Sequence, residues 1–171
     1  HATLPEKLPV KRTSQELFKS LIRIVTSQQL GTAAARSIFT RVKDACKGNI
    51  TPEVILKTRK SAFRSAGLSG AKVKTIKAVA TAVNYKQLDL LSLTKISETE
   101  ARDMLMAIWG LGPWSAEMFM MNTLGRTDVF SAGDLGLIRA IESIYNLPKG
   151  APREAHLAVA AKWSPYRSFA S

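Results

Sequence analysis

Ile108-Trp109-Gly110-Leu111-Gly112-Pro113-Trp114-Ser115-Ala116 holds two glycines and a proline in nine residues, between two stretches of helical periodicity. Upstream, Ser97-Glu98-Thr99-Glu100 is a capping box, and it opens a helix whose Ala101, Met104, Leu105 and Ile108 share a face. Gly110-Leu111-Gly112 ends that helix. Pro113 stands where the next one begins, because a helix's first turn does not use the N–H that proline lacks. The first turn of the new helix leaves backbone N–H groups unpaired at the positive end of its dipole, and such donors suit a phosphate oxygen. Gly110, Leu111, Gly112 and Ser115 are therefore candidate phosphate contacts, with glycine permitting both a positive φ and close approach. A plain helical corner with no ligand is the alternative for this run.

The 3.6-residue period continues in both directions. Leu17, Phe18, Leu21, Ile22 and Val25 make one apolar face from Ser14 onward. A second helix is expected over about 32–46, with Ala33, Ala34 and Ala35 small enough for close packing and Gly48-Asn49 stopping it. Thr51-Pro52 opens a short helix as N-cap and first-turn proline. A tight turn at Gly67-Leu68-Ser69-Gly70 precedes a helix over about 71–83. It should bury Val73, Ile76, Val79, Ala80 and Val83 and expose Lys72, Lys74 and Lys77. Gly70 and Lys72 are a second candidate phosphate contact, with a merely solvated lysine face as the alternative. After Arg126 a loop runs through Val129-Phe130 to Gly133-Asp134 and a helix expected to bury Leu137, Ile138, Ile141 and Ile144. Pro148 and Pro152 bracket a turn before the last helix. The opening 1–13, with Pro5, Pro9 and the basic Lys11-Arg12, reads as an extended segment. No alternating strand pattern is present, so the fold class is all-α. A single domain over 1–171 is expected in two helical lobes. One is centred on about 30–110; the other combines the N-terminal segment with about 125–171.

Lys and Arg number 25 against 13 Asp and Glu, a formal charge of +12 in 171 residues. That excess favours a polyanionic partner. Nucleic acid fits better than an acidic membrane face, because the lysines are scattered over several helices. A single cysteine, Cys46, excludes an internal disulfide, a Cys-ligated iron–sulfur cluster and a zinc finger. The two histidines, His1 and His156, are too few for a His-based zinc site. No apolar run approaches the ~20 residues of a membrane span. These readings point to an intracellular nucleic-acid-facing domain with no cofactor and no side-chain metal site.

Five motifs in order resemble the helix-hairpin-helix DNA glycosylases of the alkylation-repair, 3-methyladenine type. Ser27-Gln28-Gln29-Leu30 is similar to the family's first motif, and Ala66-Gly67-Leu68-Ser69 with its basic helix to the second. Gly110-Leu111-Gly112-Pro113-Trp114-Ser115-Ala116 resembles the hairpin, and Val129-Phe130-Ser131-Ala132-Gly133-Asp134-Leu135-Gly136 the loop with the catalytic carboxylate. Trp163-Ser164-Pro165-Tyr166-Arg167-Ser168 resembles the C-terminal signature. The resemblance implies a bilobal helical fold with the active site between lobes, and excision of alkylated purines such as 3-methyladenine from double-stranded DNA by a monomer. It also implies a nuclear location in a eukaryote or a cytoplasmic, nucleoid one in a prokaryote. A bound Na⁺ or K⁺ at the backbone of Gly110 and Gly112 is implied as well.

The chemistry can be set against the residues. Cleaving the bond from sugar to base passes through an oxocarbenium-like sugar, and the base must first leave the stack. A purine alkylated at N3 or N7 is already cationic, so it departs without a strong general acid. The protein must supply a negative charge beside the sugar and an acceptor that orients water. Asp134 has that role by resemblance. By local sequence alone it reads as the N-cap of the helix from Leu135. Asp128, the nearest other carboxylate, is read as structural. Trp114 stands where bifunctional relatives carry a lysine nucleophile, so no Schiff base is expected there. Its indole offers a face for a cationic purine, with Met118 one turn on, or else packs between the lobes. By resemblance Gln28 and Gln29 fill the gap left by a flipped nucleotide; the alternative is a fraying helix end. Gly31 forfeits a side-chain contact beside them. Relatives continue past the C-terminal signature with an apolar helix bearing an aromatic, so either the sequence is part of a longer chain or the pocket lacks one wall. The rival reading is a non-catalytic helix-hairpin-helix protein that binds damaged or distorted DNA.

Overall fold

The computed structural model describes residues 12–171 and is helical throughout, with no strand among the described residues. The helices are α1 (Ser14–Ser27), α2 (Thr32–Ala45), α3 (Pro52–Lys57), α4 (Lys60–Ser65) and α5 (Gly70–Asn84). They continue as α6 (Glu98–Met106), α7 (Pro113–Asn122), α8 (Leu135–Ile144), α9 (Arg153–Ala161) and α10 (Arg167–Ala170), with one 3₁₀ turn at Ser92–Thr94. The expected extended segment lies, apart from Arg12 and Thr13, outside the described residues.

Local chemistry sets the helix starts. Thr51 accepts from the Val54 N–H with Pro52 behind it, and Ser97 and Glu100 close a reciprocal capping box. Thr13 and Glu16 form a second such box at the start of α1. Ser69 caps α5 by accepting from Lys72 N.

The core falls into two clusters. The larger joins α1, α3, α4, α5, α6 and α7 around Phe18, Ile22, Ile55, Phe63, Ile76, Leu105 and Phe119, each fully buried. Burying one such side chain contributes about 1.5–3 kcal/mol. The smaller holds Phe130, Ile141, Val159 and Ala160, with Leu137, Ile138 and Trp163 packed around it. α7 runs through the larger cluster, and the loop after it carries the chain to the smaller one, so Asp134 lies at their junction.

Several expectations about faces are corrected. Ala33 and Ala34 are exposed, and α2 packs instead through Ile38, Phe39 and the buried Val42. Met104 is exposed, and so is Ile144, 72% accessible, because the small second cluster is too short to cover the last turn of α8. Val83 is only partly buried. Lys72 and Lys77 are half-buried rather than exposed. The Lys77 ammonium donates to the carbonyls of Ile55, Leu56 and Thr58 at 2.6, 2.8 and 2.7 Å, closing the C-terminus of α3. Lys72 Nζ donates to Thr26 O at 2.8 Å near the end of α1. Each ammonium sits where a helix dipole is negative, and burial pushes both pKa values down.

Lys77→Met keeps the stem but leaves three carbonyls without their donor. It should lower unfolding free energy by about 1–3 kcal/mol in urea titrations. A change under about 0.5 kcal/mol, the range of neutral surface substitutions, would contradict this capping role.

Candidate active site

The hairpin is shaped by its neighbours as much as by its glycines. Gly110 has φ +87°, and a Cβ there would fall 2.0 Å from Thr75 Oγ1. Thr75 is buried on α5, so α5 buttresses the turn from behind. On the other side, the Gln28 amide donates to Gly110 O at 3.1 Å and to Ser115 Oγ at 2.8 Å. Leu111 is buried, and its N–H donates to Ile108 O at 3.1 Å. Ser115 is buried as well. Leu111 and Ser115 thus turn their side chains inward and shape the hairpin rather than face solvent. Gly112 is the open position: no atom lies within 4 Å of its ideal Cβ, and as N-cap it offers no side chain to the first-turn N–H groups of α7.

Gln28 and Gln29 separate in role. Gln28 is a strut between α1 and the hairpin. Gln29 has φ 54° and is exposed, with Leu30 exposed beside it, so this turn projects outward. Trp109 flanks the hairpin, 48% exposed, with the Lys74 ammonium 3.8 Å from its ring centroid. Lys72 gives one of its three ammonium donors to Thr26 O, and Gly70 beside it is exposed with open space.

Asp134 is the N-cap of α8, and both of its oxygens are engaged. Oδ1 accepts from Leu137 N at 2.9 Å, the N-cap bond of α8. Oδ2 accepts from Trp114 Nε1 at 2.8 Å. Trp114 thus acts through its N–H as well as its ring, tying the first turn of α7 to the carboxylate. Met118 lies one turn on, partly buried, with its sulfur 3.7 Å from the Asn122 amide.

The loop that carries Asp134 is held at two further points. Asp128 accepts from Arg167 Nε at 2.7 Å and Nη2 at 2.9 Å, and from Ser164 Oγ at 3.0 Å. The Arg167 guanidinium holds that carboxyl below the usual range, as a structural ion pair should. Ser168 adds bonds to Thr127 O and Val129 N, both 2.9 Å. The C-terminal signature is therefore a strap across the loop. Closer to Asp134, buried Glu117 on α7 accepts from Ser131 Oγ at 2.7 Å and pairs with Arg102 at 3.4 Å. Sequence reasoning missed Glu117; its signal was one carboxylate inside the apolar run Ala116-Glu117-Met118-Phe119-Met120-Met121. A groove of about 290 Å³ opens beside α8, beginning at Gly136 and Leu137 and walled by Ile141, Ile144, Tyr145 and Trp163.

Among the described residues no group of three His, Cys, Asp or Glu side chains is placed to hold a metal ion. The hairpin backbone does present carbonyl oxygens, the hard donors a monovalent cation takes. Those of Gly110 and Gly112 each already accept one hydrogen bond, from the Gln28 amide and Ala116 N, which leaves each a second lone pair.

Two helices joined by a glycine turn, the second bonded through Trp114 to a carboxylate at the entry of α8, form a helix-hairpin-helix arrangement. The comparison with protein families agrees: residues 22–165 match the HhH-GPD superfamily of base excision DNA repair proteins, and the chain belongs to that superfamily. It is 32% identical over 158 residues to the alkylbase DNA glycosidase-like protein mag2 of Schizosaccharomyces pombe, covering 90% of this chain and 74% of that one. Among solved structures, the 3-methyladenine DNA glycosylase Mag1 of the same yeast, bound to abasic DNA, superposes with a TM-score of 0.86 at 29% identity, covering 97% of this chain and 82% of that one. A DNA-3-methyladenine glycosidase from Bacillus halodurans gives 0.77 at 35% identity, over 96% and 75%.

Two glycines of one turn should respond differently. Gly110→Ala meets Thr75 at a positive φ and should lose about 1–3 kcal/mol of stability. Gly112→Asp has room and should melt near the wild type, yet bind duplex DNA more weakly whatever its sequence, with anisotropy as the readout. Wild-type DNA affinity in Gly112→Asp would remove this turn from the interface.

Proposed function

We propose that the chain is a monofunctional DNA glycosylase, acting as a monomer, that removes alkylated purines such as 3-methyladenine from flipped nucleotides in double-stranded DNA. The observation that carries this reading is the 2.8 Å bond from Trp114 to Asp134, which joins the phosphate-binding helix to a carboxylate at the mouth of α8. Phosphate held at the first turn of α7 sets the register of the DNA strand, and Asp134 then lies one side chain away from that turn. Its two bonded oxygens retain acceptor capacity for a water or for the developing charge on the sugar. A carboxylate aimed at an oxocarbenium in a site shielded from water stabilises the transition state far more than it would in bulk solvent.

The projecting Gln29-Leu30 turn is suited to enter the space that a flipped nucleotide vacates, with Gln28 bracing it from behind. A cationic alkylpurine needs no general acid, which fits a site whose acid–base group is a single carboxylate. Position 114 carries an indole and no amine, so covalent strand cleavage from that position is not part of this reading. Where a monovalent cation binds the backbone of Gly110 and Gly112, it would add positive charge beside the phosphate.

Incubation with methylated duplex DNA, followed by chromatography of released bases, tests the reading. The expected result is free 3-methyladenine, intact abasic strands and no protein–DNA adduct trapped by borohydride. Tight binding to abasic DNA with no base released would favour the non-catalytic reading, and a trapped adduct would reveal an amine nucleophile.

A further inference from the structure

α7 holds the Asp134 loop twice from one of its faces. Trp114 and Glu117 are three residues apart, one turn of helix, and so lie one above the other. Trp114 bonds Asp134 directly. Glu117 reaches the same loop through Ser131: the Ser131 hydroxyl donates to Glu117 Oε2 at 2.7 Å, and the Ser131 carbonyl accepts from Asp134 N at 3.1 Å. The second bond closes the turn that places Asp134 at the start of α8. Ser131 is wholly buried and Glu117 nearly so.

A buried carboxylate is costly unless it is paired and hydrogen-bonded. Glu117 is met from several elements. Arg102 and Glu98 face it from α6, Arg153 from α9, and Ser131 from the loop. Burial is the largest influence and pushes its carboxyl up, against Ser131 and the two arginines. It stands where both core clusters approach the loop.

We propose, on the glycosylase reading above, that Glu117 is a positioning residue for excision, fixing through Ser131 the turn that sets Asp134 against Trp114. Glu117 has no place at the phosphate-binding turn, so its loss should act on the chemical step and spare capture of DNA.

The test compares Glu117→Ala, Glu117→Gln and Ser131→Ala for single-turnover excision of 3-methyladenine and for affinity to a duplex with an abasic-site analogue. Misplacing a reacting group by a fraction of an ångström to an ångström slows chemistry by about 10- to 100-fold, and that loss is expected for Glu117→Ala and Ser131→Ala. DNA affinity should stay within about threefold in both, as phosphate contacts are untouched. Glu117→Gln keeps an oxygen that accepts from Ser131 and should recover most of the lost rate. The double variant Glu117→Ala/Ser131→Ala should be no slower than either single one, because both remove one linkage. Wild-type excision in Ser131→Ala, a Gln variant as slow as Ala, or affinity falling in step with rate would overturn the proposal. If Glu117→Ala does not fold, Ser131→Ala and Glu117→Gln still decide it. Wild-type protein that releases no base would instead refute the glycosylase reading, a different failure.

Discussion

The hydrogen bond from Trp114 to Asp134 couples two parts of the molecule that have separate jobs. In the proposed function the first turn of α7 meets a phosphate and the entry of α8 presents a carboxylate. Each would be ordinary alone: helices often begin at Gly-Pro, and aspartate often caps them. A 2.8 Å contact between them fixes the distance from the start of α7 to the carboxylate. Most of the remaining architecture bears on that distance. Thr75 and Gln28 hold the hairpin from two sides, the Arg167–Asp128 pair and Ser168 strap the loop, and Glu117 pins its turn.

Charge serves the fold as well as binding. A net +12 suggests a chain covered in free cations. Lys72, Lys77 and Arg167 are in fact engaged with carbonyls or a carboxylate of the protein itself. Lysines that close helix C-termini neutralise dipoles that would otherwise point at core neighbours. The attraction for DNA then falls to the other basic side chains, among them exposed Lys74, stacked on Trp109 at the edge of the hairpin.

Legibility in the sequence tracked how local each determinant is. The capping box at Ser97, the cap at Thr51-Pro52 and the break at Gly112-Pro113 are set within four residues, and the helices begin there. The all-α class followed from the same signals. Side chains that reach across the fold were not legible. Lys72 and Lys77 have the spacing of a solvated face, and only tertiary packing brings the carbonyls of α1 and α3 to them. Gln28 and Gln29 look alike in sequence. The left-handed conformation at Gln29, which nothing in its side chain announces, sends one to the hairpin and the other to solvent. For Asp134 the local sequence announces the cap on α8, whereas the bond from Trp114, twenty residues away, is set by tertiary packing.

The most direct measurement of the central claim is single-turnover release of 3-methyladenine by Asp134→Asn. Asparagine caps helices as well as aspartate does, so its single oxygen keeps the bond from Leu137 N and α8 should persist, while its NH2 group replaces the acceptor that met the Trp114 indole. What disappears is the negative charge beside the sugar. The account expects excision to be lost while affinity for DNA holding an abasic-site analogue is unchanged or slightly higher, since a charge that repels phosphate has been removed. Excision at the wild-type rate by Asp134→Asn would contradict it.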